Sequence, residues 1–507
     1  MSTSADIRLR APSSEPANPE FVRGLGLVSS TTLVMGSMIG SGVYIVAADI
    51  ARSVDSPALL IMAWIVTGFL TIVGALSYGE LAAMMPKAGG QYVYLRESLG
   101  PLWGFLYGWT LFLVIQTGTI AAVGVAFGKF LGHFMASGSA MTWIWHIGNF
   151  GGVDVGINTQ NLAGIVIIVL LTAVNIFGLR TGAVVQNIFT IAKVLALLGL
   201  VLAGIFVGRN PQAVALNFTN FWRNASLGAQ HAVKVGSSGV TAFVGTLTIL
   251  AVAQVGSLFS ADAWNNVTFT AAEVKNPRRN LPLSLALGTG IVIVLYIAAN
   301  LIYLNVLPLD GDPNGATVLA RGIKYATQDR VGTAAMLQMF GPLGASLMAI
   351  AILISTFGCN NGLILAGARV YYAMAKDGLF FKAAGNIHPK YKTPAFSLIL
   401  QCIWTCVLCI SGSYNQLLNY VIFAVLIFYI LTIGGLFILR FKQPNAERPY
   451  KAFGYPVLPA IYIAMAIFID VVLLRYEPQF TWPGLIIVLL GIPVYLIWSR
   501  KSHVAPA

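Results

Sequence analysis

Charge is scarce in this chain. Asp, Glu, Lys and Arg make up 9% of its 507 residues, where a soluble globular protein carries about 25%. With 57% of residues hydrophobic and a mean hydropathy of +0.79, a water-soluble multidomain fold is excluded, and the lipid bilayer is the partner the composition implies. Histidine is equally sparse. His133, His146, His231, His388 and His503 all fall in predicted loops or tails, so no helix carries the buried pair expected of a haem-bearing membrane enzyme. No GxxxxGK[ST] run occurs, which removes the usual ATP-driven engine. The four cysteines, Cys359, Cys402, Cys406 and Cys409, lie in predicted helices with no His or carboxylate beside them. They read as small packing residues, not as a disulfide or metal set. No cofactor is implied.

What the chain has instead is apolar length. A hydrocarbon core about 30 Å thick needs about 20 apolar residues per helix, and scanning at that length gives about twelve spans. They fall near 26–49, 57–79, 101–131, 161–179, 184–207, 242–266, 283–306, 342–372, 395–411, 416–439, 455–474 and 483–499. The net charge of +13 would suggest nucleic acid in a soluble protein. Here the basic residues, among them Arg23, Lys87, Arg96, Arg278, Arg279 and Arg440, concentrate in the segments that are cytoplasmic if both termini are cytoplasmic, so the positive-inside bias accounts for the charge without nucleic acid. Residues 1–22 are polar and Ser/Pro-rich with no apolar core, and read as a disordered tail and not a cleaved signal peptide.

Two spans are interrupted at their middle by small or polar residues, in the runs GSMIGSG (Gly36 to Gly42) and FSADAW (Phe259 to Trp264). An unwound backbone within a bilayer is tolerable only where it lines a buried polar site, and a pair of such breaks in corresponding helices points to the binding site of a gradient-driven transporter. For the first run alone, a small-residue packing face is the competing reading.

Charged residues well inside apolar stretches are Lys193, Asp262 and Asp470, each a functional candidate by default. Asp470, five residues before Arg475, reads as a structural pairing or a water-facing side chain. Lys193 lies about 14 Å into its helix at 1.5 Å per residue. It either snorkels to the surface or stands as a fixed cation that satisfies unwound carbonyls and hydroxyls in place of Na⁺, with proton exchange as a further possibility. Asp262, inside the second break, either binds a substrate cation or caps the following half-helix by accepting from its free N–H groups.

These residues resemble the amino acid-polyamine-organocation superfamily, in particular its L-type and cationic amino acid transporter branches. GSMIGSGVY is similar to the first-helix signature, the run from Tyr78 to Trp109 to the second-to-third-helix signature, and Ala263 to Pro282 to the sequence after the sixth-helix break. The resemblance covers most of the chain. It implies an all-α integral membrane protein with a LeuT-type fold: two five-helix repeats of inverted topology with helices 1 and 6 broken, and helices 11 and 12 outside the core. On that frame 1–22 is a cytoplasmic tail, 23–440 the transport core, 441–499 the two accessory helices and 500–507 a second cytoplasmic tail.

Carried over residue by residue, the resemblance places a substrate carboxylate on backbone N–H groups around Ser41 and Gly42, at the positive end of a half-helix. Ser37, Met38, Ile39 and Gly40 complete the first break. The α-ammonium would meet main-chain carbonyls at Met38, Phe259 and Asp262, with Ser260 and Ala261 between them. Phe259 resembles the aromatic lid of the L-type branch, although an ordinary core Phe has the same sequence. Lys193 matches the fifth-helix lysine of sodium-independent members, with Ser355 or Thr356 as hydroxyl partner. Thr119 and Phe423 are pocket-wall candidates or simple packing. Residues 132–160 hold no cysteine, so a disulfide-linked heavy chain is not expected, and Asp262-Ala263 stands where the L-type branch has Gly-Gly, which leaves the side-chain class of the substrate open. The expectation is a secondary transporter of amino acids without covalent chemistry. Na⁺-independent exchange of neutral amino acids is its leading form, followed by proton-coupled uptake and then cationic amino acid or polyamine transport. A membrane enzyme or channel of similar hydropathy is the alternative of a different class.

Overall fold

The computed structural model describes residues 21, 23–134, 142–150, 153–223, 239–410 and 414–502. The expected terminal tails fall almost wholly outside them. Ten helices are long and apolar enough to cross a membrane, and Gly245–Ser260 and Ala395–Ile410 are shorter apolar helices, so the twelve predicted stretches each correspond to helix. Large side chains such as Val294, Leu343, Leu347 and Phe206 point outward while Glu80, Lys193, Asn361 and Arg369 are buried. A soluble protein distributes these the other way, and lipid accounts for the reversal.

In chain order the helices are α1 (Leu27–Met38), α2 (Gly42–Val54), α3 (Pro57–Met84), α4 (Gln91–Leu99), α5 (Pro101–Thr110), α6 (Gln116–Leu131), α7 (Thr159–Ile176), α8 (Leu179–Phe206), α9 (Pro211–Phe218), α10 (Gly239–Ser260), α11 (Asn266–Phe269), α12 (Pro277–Val306), α13 (Val331–Lys376), α14 (Ala395–Ile410), α15 (Tyr414–Lys442), α16 (Val457–Tyr476) and α17 (Pro478–Ser502). A hairpin of β1 (Trp143–Phe150) and β2 (Val153–Asn158), antiparallel, joins α6 to α7. The apolar-length scan has no means of finding it, because its strands are shorter than a span.

Both expected breaks are present. α1 ends where Ile39 turns extended, at φ −76° and ψ 94°, and α2 restarts at Gly42. α10 ends at Ser260 and α11 restarts at Asn266, and between them Ala263 takes φ 63°, a left-handed conformation in which a side chain costs about 1–2 kcal/mol. Between α5 and α6 the backbone widens into a π-turn, Leu111–Ile115, with the Thr117 hydroxyl donating to Phe112 O at 2.7 Å. Such bulges re-aim the residues that follow, here Gln116 and Thr119. α13 is interrupted at Gly341, φ 65°, so its membrane-crossing part follows Pro342, as the predicted span at 342–372 requires.

Two buried carboxylates tie separate elements together, Glu80 and Glu273. Glu80 accepts from Arg440 (2.6 Å), Arg448 (3.1 Å) and the Ala452 amide (2.7 Å), joining α3 to the end of α15 and to the α15–α16 connection. Glu273 pairs with Arg369 at 3.2 Å, each side chain 1% exposed, and its main-chain oxygen accepts from Gly24 and Leu25. Phe21 packs edge-on to Tyr372 and under the Arg369 guanidinium. Phe21, inside the tail expected over 1–22, therefore has packing partners of its own, an aromatic ring beside a cation having a docking energy that polar tail residues lack.

Candidate functional site

Where a helix unwinds, its carbonyls need new partners, and the partners found at the first break define the site. Five consecutive carbonyls are satisfied from three other helices. Lys193 Nζ on α8, fully buried, donates to Gly36 O at 2.6 Å and Ile39 O at 2.7 Å. The Cys359 thiol on α13 lies 3.1 Å from Ser37 O, Tyr296 OH on α12 donates to Met38 O at 3.0 Å, and the Ser355 hydroxyl on α13 donates to Gly40 O at 2.9 Å and Ile39 O at 3.2 Å. Snorkelling of Lys193 is thereby ruled out: its ammonium points into the unwound turn.

The expected partners of Lys193 need correction in two respects. Thr356 bonds carbonyls of its own helix, Ile352 and Leu353, as a hydroxyl on a helix commonly does. Ser355 meets Lys193 through its carbonyl at 3.4 Å, and its hydroxyl shares Ile39 O with the lysine. Tyr296 is not singled out by the sequence. Its hydroxyl lies 3.1 Å from Ser260 O as well as 3.0 Å from Met38 O, its single proton shared between the two carbonyls, so one phenol spans both breaks. A tyrosine in an apolar span carries no charge signal, and nothing in the sequence distinguishes it from core.

The breaks also touch directly. A Cβ on Gly42 would lie 2.1 Å from Ser260 Oγ and 3.0 Å from Ser260 Cα, so the glycine is needed for α2 to meet the end of α10. Gly40 is less confined, with Cys359 Sγ 3.2 Å from its notional Cβ. Ser37 and Ser41 are buried beside them, and the start of α2 presents main-chain N–H groups that have no carbonyl one turn earlier. Met38 O is partly spent on Tyr296, and Phe259 O accepts the Asp262 amide at 3.2 Å, which leaves these two of the three carbonyls expected for an ammonium already engaged. Phe259 and Ala261 are buried.

Asp262 does not cap the following half-helix, since α11 starts at Asn266 with no side-chain cap hydrogen bond; its carboxylate accepts, at 2.6 Å, from Tyr429 OH on α15. Below it lies a narrow cleft lined by Gln91, Tyr107, Leu111, Ile115, Gln116, Thr119, Asp262, Ala263, Asn265, Asn266, Phe269, Leu363, Val425 and Tyr429. Thr119 is thus a wall residue, with its hydroxyl turned back to Ile115 O at 2.6 Å. Phe423 is buried but does not line this cleft; Val425 and Tyr429, two and six residues on, do so. Asp470 lies far along α16 and is neither paired nor water-facing: it is 7% exposed, and neither carboxylate oxygen has a hydrogen-bond partner among the described residues. No group of three or more His, Cys, Asp or Glu suited to a metal exists among the described residues.

Comparison with known proteins agrees with this architecture. A family model described as amino acid permease matches residues 25–497. The serine/threonine exchanger SteT of Bacillus subtilis is 29% identical over 481 residues, 94% of this chain and 97% of the relative. The large neutral amino acids transporter small subunit 2 of Homo sapiens is 29% identical over 94% of this chain and 81% of its own length, and the b(0,+)-type amino acid transporter 1 of Rattus norvegicus is 28% identical over 96% and 92%. The chain belongs to the amino acid permease family of the amino acid-polyamine-organocation superfamily, and is a multi-pass membrane transporter of amino acids and not an enzyme.

Proposed function

We propose that the chain exchanges neutral L-amino acids across the cell membrane by alternating access, without Na⁺. The observation that carries this reading is Lys193, whose ammonium occupies the middle of the unwound turn and donates to two of its carbonyls. A cation supplied by the protein removes the need for one from solution at that place. Exchange is favoured by the serine/threonine exchanger among the relatives, and neutral substrates by the transporter of large neutral amino acids. Substrate would dock with its carboxylate at the start of α2 and its ammonium at the end of α10, Phe259 closing over it. The helices up to 440 form the moving core as two inverted five-helix halves, a reading supported by the breaks falling in the first and sixth spans. Both termini face the cytoplasm, and no heavy chain is attached by disulfide, since the α6–α7 connection lacks cysteine.

Purified protein in liposomes, loaded with unlabelled amino acid and offered a radiolabelled panel in choline or sodium medium, tests this. Uptake that needs internal amino acid and is equal in both media is expected. Sodium dependence, or uptake into empty liposomes driven by a pH gradient, refutes Na⁺-independent exchange, the second outcome favouring proton coupling.

A further inference from the structure

The cleft beneath Asp262 is lined by more polar groups than its hydrogen bonds use. Gln91 Oε1 accepts from Asn265 at 2.8 Å and its amide donates to Thr432 at 3.1 Å. Gln116 donates to Leu363 O at 2.8 Å, Thr119 is turned to its own helix, and Asp262 and Tyr429 hold each other. Two groups remain. The Tyr107 hydroxyl and the Asn266 amide nitrogen line the cleft, their side chains are 2% and 1% exposed, and neither has a hydrogen-bond partner among the described residues. Burying a donor without an acceptor costs free energy, and both line the same cleft as Asp262 and Ala263 of the second break.

Resting on the exchange reading above, we infer that the substrate side chain enters this cleft and that Tyr107 and Asn266 donate to an acceptor atom on it. The substrates preferred are then small neutral amino acids that carry a hydroxyl or carboxamide oxygen. Aliphatic side chains of similar size leave the two donors unpaired. Cationic ones bring further donors to a cleft whose one lining carboxylate, Asp262, already accepts from Tyr429. A site built to hydrogen-bond a substrate group discriminates strongly against an analogue that lacks it.

The test is competition and exchange in proteoliposomes of the unaltered protein with serine, threonine, asparagine, alanine, valine, leucine and lysine, followed by Tyr107→Phe and Asn266→Ala. We expect the three oxygen-bearing substrates to be exchanged at least tenfold more efficiently, as kcat/KM, than valine, leucine or lysine. Each substitution should lower the serine-to-alanine ratio of kcat/KM about two- to tenfold, the span of one ordinary hydrogen bond. Equal efficiency for valine and serine in the unaltered protein, or a preference for lysine, overturns the inference while leaving exchange intact. A serine-to-alanine ratio unmoved in both variants also overturns it, assigning the two side chains to packing. Exchange of no amino acid at all refutes the functional reading itself, and this inference with it.

Discussion

Removing the Lys193 ammonium should uncouple three helices at once. Its two short hydrogen bonds, 2.6 Å to Gly36 O and 2.7 Å to Ile39 O, are charge-assisted, a class worth about 1.5–3 kcal/mol each. In Lys193→Ala, Ile39 O keeps the Ser355 hydroxyl, whereas Gly36 O has no second donor among those described. Relief from burying a charge offsets part of the loss, so a net weakening of about 3 kcal/mol between α1 and α8 is a reasonable figure. At 1.4 kcal/mol per factor of ten, that is roughly a hundredfold in the population holding the unwound turn in place. Lys193→Met, which keeps length and apolar stem but donates nothing, should fall nearly as far, separating the ammonium from its packing. The assay is exchange rate in sodium-free proteoliposomes beside a thermal melt in detergent. Loss of exchange that ignores an imposed pH gradient in the parent supports a fixed cation. Uptake driven by the pH gradient supports a lysine that releases its proton during the cycle. Wild-type exchange in Lys193→Ala, or strict Na⁺ dependence in the parent, refutes both.

Other substitutions probe the groups around it. Gly42→Ala puts a methyl against Ser260 and should reduce amino acid affinity at least about tenfold. Recovery in Gly42→Ala/Ser260→Gly should be only partial, because the main chain of residue 260 still lies 3.0 Å from the added methyl; normal affinity of Gly42→Ala by equilibrium binding would free the first break from this constraint. Tyr296→Phe deletes the hydroxyl shared by Met38 O and Ser260 O and should cost about 1–3 kcal/mol, read as a lower melting temperature with slowed exchange; an unchanged melt would show that the phenol does not hold the breaks together. Phe259→Ala should abolish exchange and Phe259→Trp should alter selectivity, and normal uptake by Phe259→Ala returns the ring to the core. Arg369→Ala strands the buried Glu273 carboxylate and should destabilise by about 3–5 kcal/mol, which a melt in detergent measures, whereas Arg369→Ala/Glu273→Gln should recover part of the loss.

The architecture is legible in the sequence because membrane physics writes it in length. Each predicted span, from 26–49 to 483–499, meets a helix, since a bilayer demands a continuous apolar run wherever a helix crosses. The breaks are legible for the opposite reason: GSMIGSG and FSADAW interrupt such runs with residues that a spanning helix seldom needs. Lys193 announces itself as a charge at the wrong depth. What stays hidden is every partner whose residue type is ordinary in a membrane helix. Tyr296, Cys359, Tyr107 and Tyr429 are common core residues until coordinates show what their polar atoms face. Thr356 is indistinguishable from Ser355 by adjacency alone, since one step along a helix turns a side chain through about 100°. Phe423 misses the cleft by the same periodicity, which carries Val425 and Tyr429 into it.

The satisfied carbonyls of the first break bear on how such a molecule moves. Gly36, Ser37, Met38, Ile39 and Gly40 each accept from a side chain on α8, α12 or α13, and none of these bonds is to a neighbour in sequence. Rocking α1 and α2 against those helices would therefore break several bonds together, with no solvent at mid-membrane to replace them. A transition that keeps these bonds must carry Lys193, Tyr296 and Ser355 along with the unwound turn, placing the sliding surfaces elsewhere. Tyr296 strengthens the constraint, because its hydroxyl proton is shared with Ser260 O, which attaches α10 to the same group. The two breaks then behave as one body in this arrangement, and on the docking proposed above a substrate between them would leave only when the close approach of Gly42 to Ser260 opens. That meeting point has a glycine on one side and a small hydroxyl on the other, the pairing that brings two helices nearest with the least side chain to displace on opening.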